Sequence, residues 1–455
     1  MNASAYSMTD RSTPTEEFPL PTGPINRLVE PVSRFLRVES TGGAVLLCAT
    51  LAALALANSP FSDSFLSWWE IPVGVSVGGF ELHHSLKHWI NDGLMVIFFF
   101  LVGLEIKREL VLGELRDLRV AALPIAAAFG GMVAPAVLYL TLQWGQPGQR
   151  GWGIPMATDI AFVVGCLALL GPRVPRSLRV LLLSLAIADD IGAIMVIAVG
   201  YSEALQWSAL AWGGLGIGLV ILLQRVGVRS VPIYVVLGVG VWFGFHQSGV
   251  HATIAGVIIG LLTPAKPWVS MTLLTQYVSQ LGHFLEGQSW FDSHKRQSLL
   301  QSVQRAARET TSPVERLETT LHPWVSFVIL PLFALANAGV PLEASAFTES
   351  VALAVVVGLL FGKPVGILLF SWVSVKLRIA RLSEGLTWTV LLGGGVLAGI
   401  GFTMSLFIAA LALNDRLLLS AKVGILTGSA VSAFIGLLLL LWLLPKPAVN
   451  GAPET

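Results

Sequence analysis

Charged side chains are scarce in this chain: Asp, Glu, Lys and Arg make up 12% of its 455 residues, while 54% are hydrophobic. A soluble globule of this size needs more surface charge, so this composition and the mean hydropathy of +0.75 indicate a polytopic membrane protein. The formal net charge of +1 argues against nucleic acid as a partner. Cysteine is also scarce, and because Cys48 and Cys166 both lie in apolar runs, no disulfide framework is expected.

Long apolar runs take the place of the missing charge. Windows of about 19 residues predict twelve membrane-spanning helices, near residues 40–58, 91–112, 120–143, 154–171, 178–202, 207–224, 230–247, 249–264, 323–342, 350–375, 387–413 and 417–444. Residues 1–40 are polar and proline-rich, which is typical of a cytoplasmic tail and not of a signal peptide. The predicted domains are this tail, spans one to eight (41–264), a cytoplasmic connector (265–321), spans nine to twelve (322–444) and a cytoplasmic C-terminal tail (445–455).

The positions of the basic residues indicate how these spans are oriented. With both termini in the cytoplasm, 23 of the 28 Lys and Arg residues fall on the cytoplasmic side, four fall outside, and Lys363 lies within a span. This asymmetry fits the positive-inside rule. An even number of spans with both termini cytoplasmic is therefore expected.

Four ionisable residues fall deep inside predicted spans: Asp159, Asp189, Asp190 and Lys363. Asp189 lies ~15 Å inside its span, near the midplane of a bilayer. Ionisable residues at this depth are functional by default, and three acids against one base favour a site for a small cation or for protons. Thr158 adds a hydroxyl, and oxygen ligands suit a hard cation such as Na⁺. The alternative is a neutral, hydrogen-bonded cluster that only holds helices together.

Proline and glycine interrupt two of the predicted spans. Pro155 precedes Ala157-Thr158-Asp159 in span four, and glycines are dense in span eleven, where Gly399 and Gly401 precede Thr403. A pair of interrupted spans in corresponding halves indicates the binding site of an inverted-repeat transporter. The expected fold is therefore an all-α polytopic membrane protein with an inverted repeat. The alternative is that these glycines only permit close helix packing.

A second charged group ends span two, where Glu105 and Glu109 lie at i, i+4 with Arg108 beside them. It is either an interfacial charge network that ends the helix or a pH-sensitive funnel at the entrance of the site. His251 would titrate near neutral pH if it were exposed, and otherwise it is a satisfied polar group. Between spans one and two, alternating valines before Gly78-Gly79 predict a hairpin at an outer-surface dimer contact, or else a flexible loop.

Several long motifs are recognisable between about residue 34 and about residue 440, outside an insertion at 265–312. They are HWINDGLMVIFFFLVGLEIKREL, MATDIAFVVG, LAIADDIGAI, SGVHATIAGV, ILPLFALANAGV, GLLFGKPVGI and GIGFTMSLFIA. In these motifs the chain resembles the NhaA-type sodium/proton antiporters, a family of inverted-repeat transporters.

The resemblance implies a role for each of the deep residues. It implies that Asp189 and Asp190 are the ion-binding and proton-carrying pair, with Asp190 as the direct Na⁺ ligand. Lys363 would pair with Asp189 in the ion-free state. Thr158 and Asp159 would lie where the two interrupted helices, spans four and eleven, cross, and Asp159 and Lys363 would offset the half-helix dipoles there.

The resemblance also implies a pH-responsive cluster and a physiological role. The cluster maps onto Glu105, Arg108, Glu109, His251 and Glu318. The expected function is secondary active export of Na⁺ or Li⁺ in exchange for H⁺ across the bacterial inner membrane, regulated by pH, for sodium and pH homeostasis. No cofactor is expected beyond the transported ions, and the expected partners are the lipid bilayer and a second copy of the chain in a homodimer.

Counting titratable groups predicts that two protons enter for each Na⁺ that leaves, so that exchange is electrogenic. The same-class rival is a Na⁺-coupled symporter of an organic anion, which three deep acids disfavour. An intramembrane enzyme is the rival from another class. An aspartyl protease dyad would need its aspartates on separate helices that face each other, and a DDxxD metal motif does not fit the residues Ile-Gly-Ala-Ile after Asp190. A membrane scaffold would not need four deep charges.

Overall fold

The computed structural model describes residues 39–77, 80–202, 205–228, 230–286, 293–383 and 385–444. Both predicted tails lie outside these residues, apart from residues 39–40. Within this part of the chain, eight helices are long and apolar enough to cross a membrane, and up to eleven spans result if each of three bent helix pairs counts as one. Helices dominate because they satisfy every backbone polar group internally, which a bilayer demands. The chain is therefore a multi-pass, helical membrane protein.

The N-terminal half contains nine α-helices and one hairpin within the described residues. In chain order they are α1 Glu39–Ala57, α2 Ser62–Trp69, β1 Pro72–Val77, β2 Phe80–Ser85, α3 Leu86–Val111, α4 Leu118–Gln143, α5 Ile160–Leu170, α6 Arg176–Gly200, α7 Trp207–Val226, α8 Val231–Ser248 and α9 Thr253–Leu262. A 3-10 helix, Pro147–Met156, precedes α5 and is bent from it by 42°. A π-helical turn, Trp89–Leu94, lies near the start of α3.

The C-terminal half begins with two helices in the predicted connector. The described elements are α10 Met271–Glu286, α11 Ser293–Thr310, α12 Pro313–Asn337, α13 Ala344–Thr348, α14 Ser350–Lys376, α15 Trp388–Ala398, α16 Phe402–Ala412 and α17 Asp415–Leu443. The helices α15 and α16 are bent by 48° across residues 399–401. Two more π-helical turns, Val325–Ile329 and Gly358–Gly362, interrupt α12 and α14.

Strands β1 and β2 form an antiparallel pair, with Val73 opposite His84 and Val77 opposite Phe80. The predicted hairpin is thus confirmed. Its turn, Gly78-Gly79, lies outside the described residues, and the dimer contact stays a prediction.

Several helix limits differ from the hydropathy windows. The helix of span two begins at Leu86 and that of span nine at Pro313, because side chains of Ser85 and Ser312 cap polar first turns that a hydropathy window rejects. The apolar helix of predicted span eight is the 10-residue α9. At 1.5 Å per residue it covers only ~15 Å of a ~30 Å hydrocarbon core, so twelve spans remain a prediction.

The close approach of α4 and α14 directs Lys363 into the core. A side chain at Gly130 would overlap the carbonyl oxygen of Gly366, and one at Gly366 would overlap that of Gly130, so the two backbones are in direct contact. Pro135 of α4 packs against Gly362, the last residue of a π-helical turn. Lys363 follows this turn and is fully buried. Such turns inside α-helices often lie at functional sites.

Candidate functional site

The two interrupted segments bond to each other through their broken backbone. Residues 157–159 are extended between the 3-10 helix and α5, and the Asp159 N–H donates to the Ile400 carbonyl at 2.7 Å. The Thr158 hydroxyl lies 3.0 Å from the carbonyl oxygen of Ala398, the last residue of α15. Each break thus supplies partners for backbone groups that the other leaves free, which is what non-helical backbone needs at membrane depth.

The Asp159 carboxylate faces the first turns of two helices. Its Oδ1 accepts from the Phe162 N–H at 3.2 Å and caps α5. Its Oδ2 accepts from the Thr403 N–H at 2.9 Å and from the Thr403 hydroxyl at 2.5 Å, at the start of α16. One negative charge therefore lies against two positive helix ends.

Thr403 is a site residue that the sequence did not identify. The sequence feature that could have indicated Thr403 is its position, two residues after Gly401 at the start of an apolar helix. A hydroxyl at such a helix start can reach a carboxylate in another segment. The sequence does not say which carboxylate that is, because Asp159 lies 244 positions away.

Lys363 and Asp189 form a fully buried ion pair, with the lysine Nζ 2.5 Å from Asp189 Oδ2. Lys363 also donates to the Thr158 hydroxyl. That hydroxyl lies 2.8 Å from Asp189 Oδ2 and has one proton, so it donates either to Asp189 or to Ala398. The ammonium thus lies between an aspartate and a threonine oxygen near the C-terminal end of α15, where a helix dipole favours positive charge.

Asp190 is the next residue on α6 and is also buried, at 3% exposure. On a helix its side chain points about 100° from that of Asp189. Asp189 Oδ1 is buried and accepts no hydrogen bond from any described residue. A buried carboxylate oxygen without a donor is costly, and it is open to a proton or a cation.

The structure brings together all five predicted core residues, which are Thr158, Asp159, Asp189, Asp190 and Lys363. All five are at most 3% exposed. If every titratable group among them were ionised, the cluster would carry three negative charges and one positive charge. Uncompensated charge of this kind is expensive to bury. Protons or a bound cation must therefore balance it, and the arrangement can exchange one for the other.

The predicted pH-responsive residues fall into two separate groups. Arg108 joins two helices, since it pairs with Glu318 of α12 and lies 3.7 Å from Glu109 Oε1. Glu105 lies one turn before Glu109 on α3. A cleft of about 780 Å³ opens beside Glu109, and its lining does not include the buried aspartates.

His251 does not belong to that group. Its Nδ1 lies 2.7 Å from the Thr253 hydroxyl, and its ring packs edge-on against Phe407. The charged groups acting on it include Asp92, at the beginning of α3. By helix rise, Asp92 is roughly 24 Å from Arg108, which lies at the other end of the same helix. In the structure, His251 therefore does not contact the group around Arg108.

Several known proteins similar to this chain are named as Na⁺/H⁺ antiporters of the NhaA type. The family described as Na⁺/H⁺ antiporter 1 matches residues 33–440. The Na(+)/H(+) antiporter NhaA of Rhodopirellula baltica is 55% identical over 94% of this chain and 98% of its own length. The protein of the same name from Rhizobium meliloti is 53% identical, over 92% and 96% of the two chains. NhaA 2 of Vibrio vulnificus is 52% identical, over 92% and 94%. The chain therefore belongs to the NhaA-type Na⁺/H⁺ antiporter family.

Proposed function

We propose that this protein is a secondary active antiporter that exports Na⁺ or Li⁺ across the bacterial inner membrane in exchange for H⁺. The observation that carries the proposal is the buried pair of Lys363 and Asp189, which shares the Thr158 hydroxyl and lies beside the buried Asp190. The names of the relatives support the same activity. On this proposal the protein is a transporter and needs no resident cofactor.

Asp190 is proposed as the direct Na⁺ ligand, with Asp189 and Thr158 supplying further oxygens. The unpartnered Asp189 Oδ1 supports this assignment, because a hard cation prefers oxygen ligands. Lys363 competes with the cation, since its ammonium already contacts Asp189 Oδ2 and the Thr158 hydroxyl. Cation entry therefore requires that Lys363 withdraws from Asp189 or loses its proton.

Exchange is proposed to be electrogenic, with two protons entering for each Na⁺ that leaves. The first proton is released by Asp190. The second comes from Lys363, which holds it in the buried ion pair with Asp189, or from Asp189 when that proton lies on the carboxyl group instead. One net charge then crosses the membrane in each cycle, worth ~2.3 kcal/mol per 100 mV. The membrane potential can thus drive Na⁺ export without a pH gradient.

The finer architecture is proposed to follow the family. Both termini lie in the cytoplasm, twelve spans form an inverted repeat, and two copies assemble as a homodimer. The bonds between residues 157–159 and 398–403 support a crossing of spans four and eleven. The group formed by Arg108, Glu109 and Glu318 is proposed to adjust activity to cytoplasmic pH.

Symport of an organic anion is not favoured. The helix ends that could face an anion are the N-termini of α5 and α16, and both already face Asp159. A second anion there would meet a buried carboxylate at 2% exposure.

The test is Na⁺-induced proton release in everted membrane vesicles from a host without its own Na⁺/H⁺ antiporters. We expect exchange by the wild type across a pH series and none by Asp190→Asn. Asp63→Asn, the same substitution at an exposed position of α2, is the matched control and is expected to retain wild-type exchange. No cation-dependent proton movement by the wild type at any pH would overturn the proposal.

A further inference from the structure

Three histidines meet at one end of the molecule, away from the buried aspartates. His84 lies on β2, His88 in the first turn of α3 and His246 in the last turn of α8. The rings of His84 and His88 stack with centroids 4.1 Å apart, and His246 lies 5.6 Å and 6.0 Å from them. One nitrogen from each of the three rings falls within 4.8 Å of the others.

Local structure directs two of these rings to the same place. Successive strand residues face opposite sides, so His83 is exposed while His84 turns toward α8. The Ser85 side chain accepts from the His88 N–H at 3.3 Å and caps the helix that follows. This cap holds the strand against the helix start, and His88 therefore lies beside His84.

Two tryptophan side chains and one carboxylate lie beside the three histidines. Trp242 stacks on the His246 ring at 5.5 Å and on Trp89 at 6.5 Å, which limits the orientations that His246 can take. Asp92 Oδ2 lies 3.4 Å from His88 Nε2 and 4.0 Å from His246 Nδ1.

The His88 Nε2 atom is buried but makes no hydrogen bond to any described residue. A buried imidazole nitrogen without a partner is unusual and calls for an explanation such as an ion. Its nearest charged neighbour, Asp92, is close enough to orient the ring but is not aligned as an acceptor.

We propose that His84, His88 and His246 bind one transition-metal ion of the Zn²⁺ class. Three imidazole nitrogens with a fourth, oxygen ligand form a set that Zn²⁺ accepts in tetrahedral geometry. Asp92 provides that fourth ligand, or it orients the histidines from behind while water takes the fourth position. This site is separate from the aspartates of α6 and does not rest on the proposed antiport.

The observed spacing is close to that of a loaded site. Nitrogens bound at ~2.0–2.1 Å around a tetrahedral ion lie ~3.3 Å from one another. Starting from nitrogens within 4.8 Å, each would move inward by roughly 0.9 Å or less, and the stacked rings of His84 and His88 would turn so that their in-plane lone pairs point at the ion. Side-chain rotation can supply both movements. A bound ion would join the β2–α3 junction to α8, and would therefore raise the melting temperature as the free ion concentration rises above its Kd.

The test measures Zn²⁺ binding to the purified full-length protein in detergent, prepared without a polyhistidine tag. Equilibrium dialysis against ZnCl₂, with metal content measured by mass spectrometry, is expected to give one Zn²⁺ per chain and a higher melting temperature. His88→Ala and His246→Ala are each expected to weaken binding at least tenfold. His83→Ala is the matched control, because it removes the exposed neighbour of His84 from the same strand.

Two outcomes would overturn the proposal. One is that the wild type binds no Zn²⁺ at the cluster, seen as no stoichiometric uptake and no change in melting temperature. The other is that His83→Ala weakens binding as much as His88→Ala does. A variant that fails to fold is recognised by its melting curve without metal, and His246→Ala then serves as an independent test on another helix. Asp190→Asn is expected to bind Zn²⁺ as the wild type does, which separates this site from the transport site.

Discussion

The buried ion pair of Lys363 and Asp189 allows a prediction of stability that does not depend on transport. Both side chains are fully buried, and the charged atoms are 2.5 Å apart. Removing one partner leaves the other charge buried without compensation, at a cost of ~3–5 kcal/mol. Replacing both with neutral amides, as Asp189→Asn with Lys363→Gln, removes the uncompensated charge and allows a neutral hydrogen bond. The double variant should then lose no more than about 2 kcal/mol, so the two single changes are expected to be non-additive by at least about 4 kcal/mol.

The expected effect can be expressed as a shift in melting temperature. At ~2.1 cal/mol/K per residue, unfolding a chain of this length has an entropy near 1 kcal/mol/K, so each single variant should melt about 3–5 °C lower than the wild type. The double variant should recover to within about 2 °C. The assay is tryptophan fluorescence during heating of the purified protein, in a potassium buffer free of Na⁺ so that cation binding does not contribute.

The matched control is Lys376→Gln, which makes the same change on α14 at an exposed lysine. Lys376 contacts the Trp372 ring at 4.6 Å, an exposed cation–π contact worth ~0.5–1 kcal/mol, so the melting temperature should fall by no more than about 1 °C. The reasoning is refuted if the loss in the double variant equals the sum of the two single losses, because the two charges would then not stabilise each other.

Three further predictions concern other parts of the structure. Thr403→Val removes one of the donors to Asp159 while keeping the backbone N–H, and should cost ~1.5–3 kcal/mol of unfolding free energy, measured as a lower melting temperature, with Thr403→Ser close to wild type. Gly366→Ala should lower the free energy of unfolding by ~1–3 kcal/mol or more, because the added methyl group would overlap the Gly130 carbonyl. Gly240→Ala, where α8 leaves open space, should have little effect on the same melting curve, and equal losses would contradict the packing argument. Finally, wild-type vesicles at equal pH on both sides should move protons when a potassium diffusion potential is imposed in the presence of Na⁺, and exchange insensitive to the potential would contradict the two-proton count.

The sequence alone was enough for the class of protein and the chemistry of its core. Scarce charge and long apolar runs indicated a multi-pass membrane protein, and the structure confirms this. The deep residues Asp159, Asp189, Asp190 and Lys363 were visible as charges inside apolar runs, and the structure places them in one buried cluster. The motifs around them indicated the family, which the relatives confirm. These signals are local, so a window of about 20 residues contains them.

Tertiary structure decided which of these residues bond to one another. The donation from Thr403 to Asp159 and the pairing of Arg108 with Glu318 join positions more than 200 residues apart. The separation of His251 from Arg108, expected to be in one cluster, likewise depends on which helix end faces which. Hydropathy and periodicity describe how one segment meets the bilayer. Partner choice depends instead on how closely backbones such as those at Gly130 and Gly366 can pack, which only the folded arrangement of the helices determines.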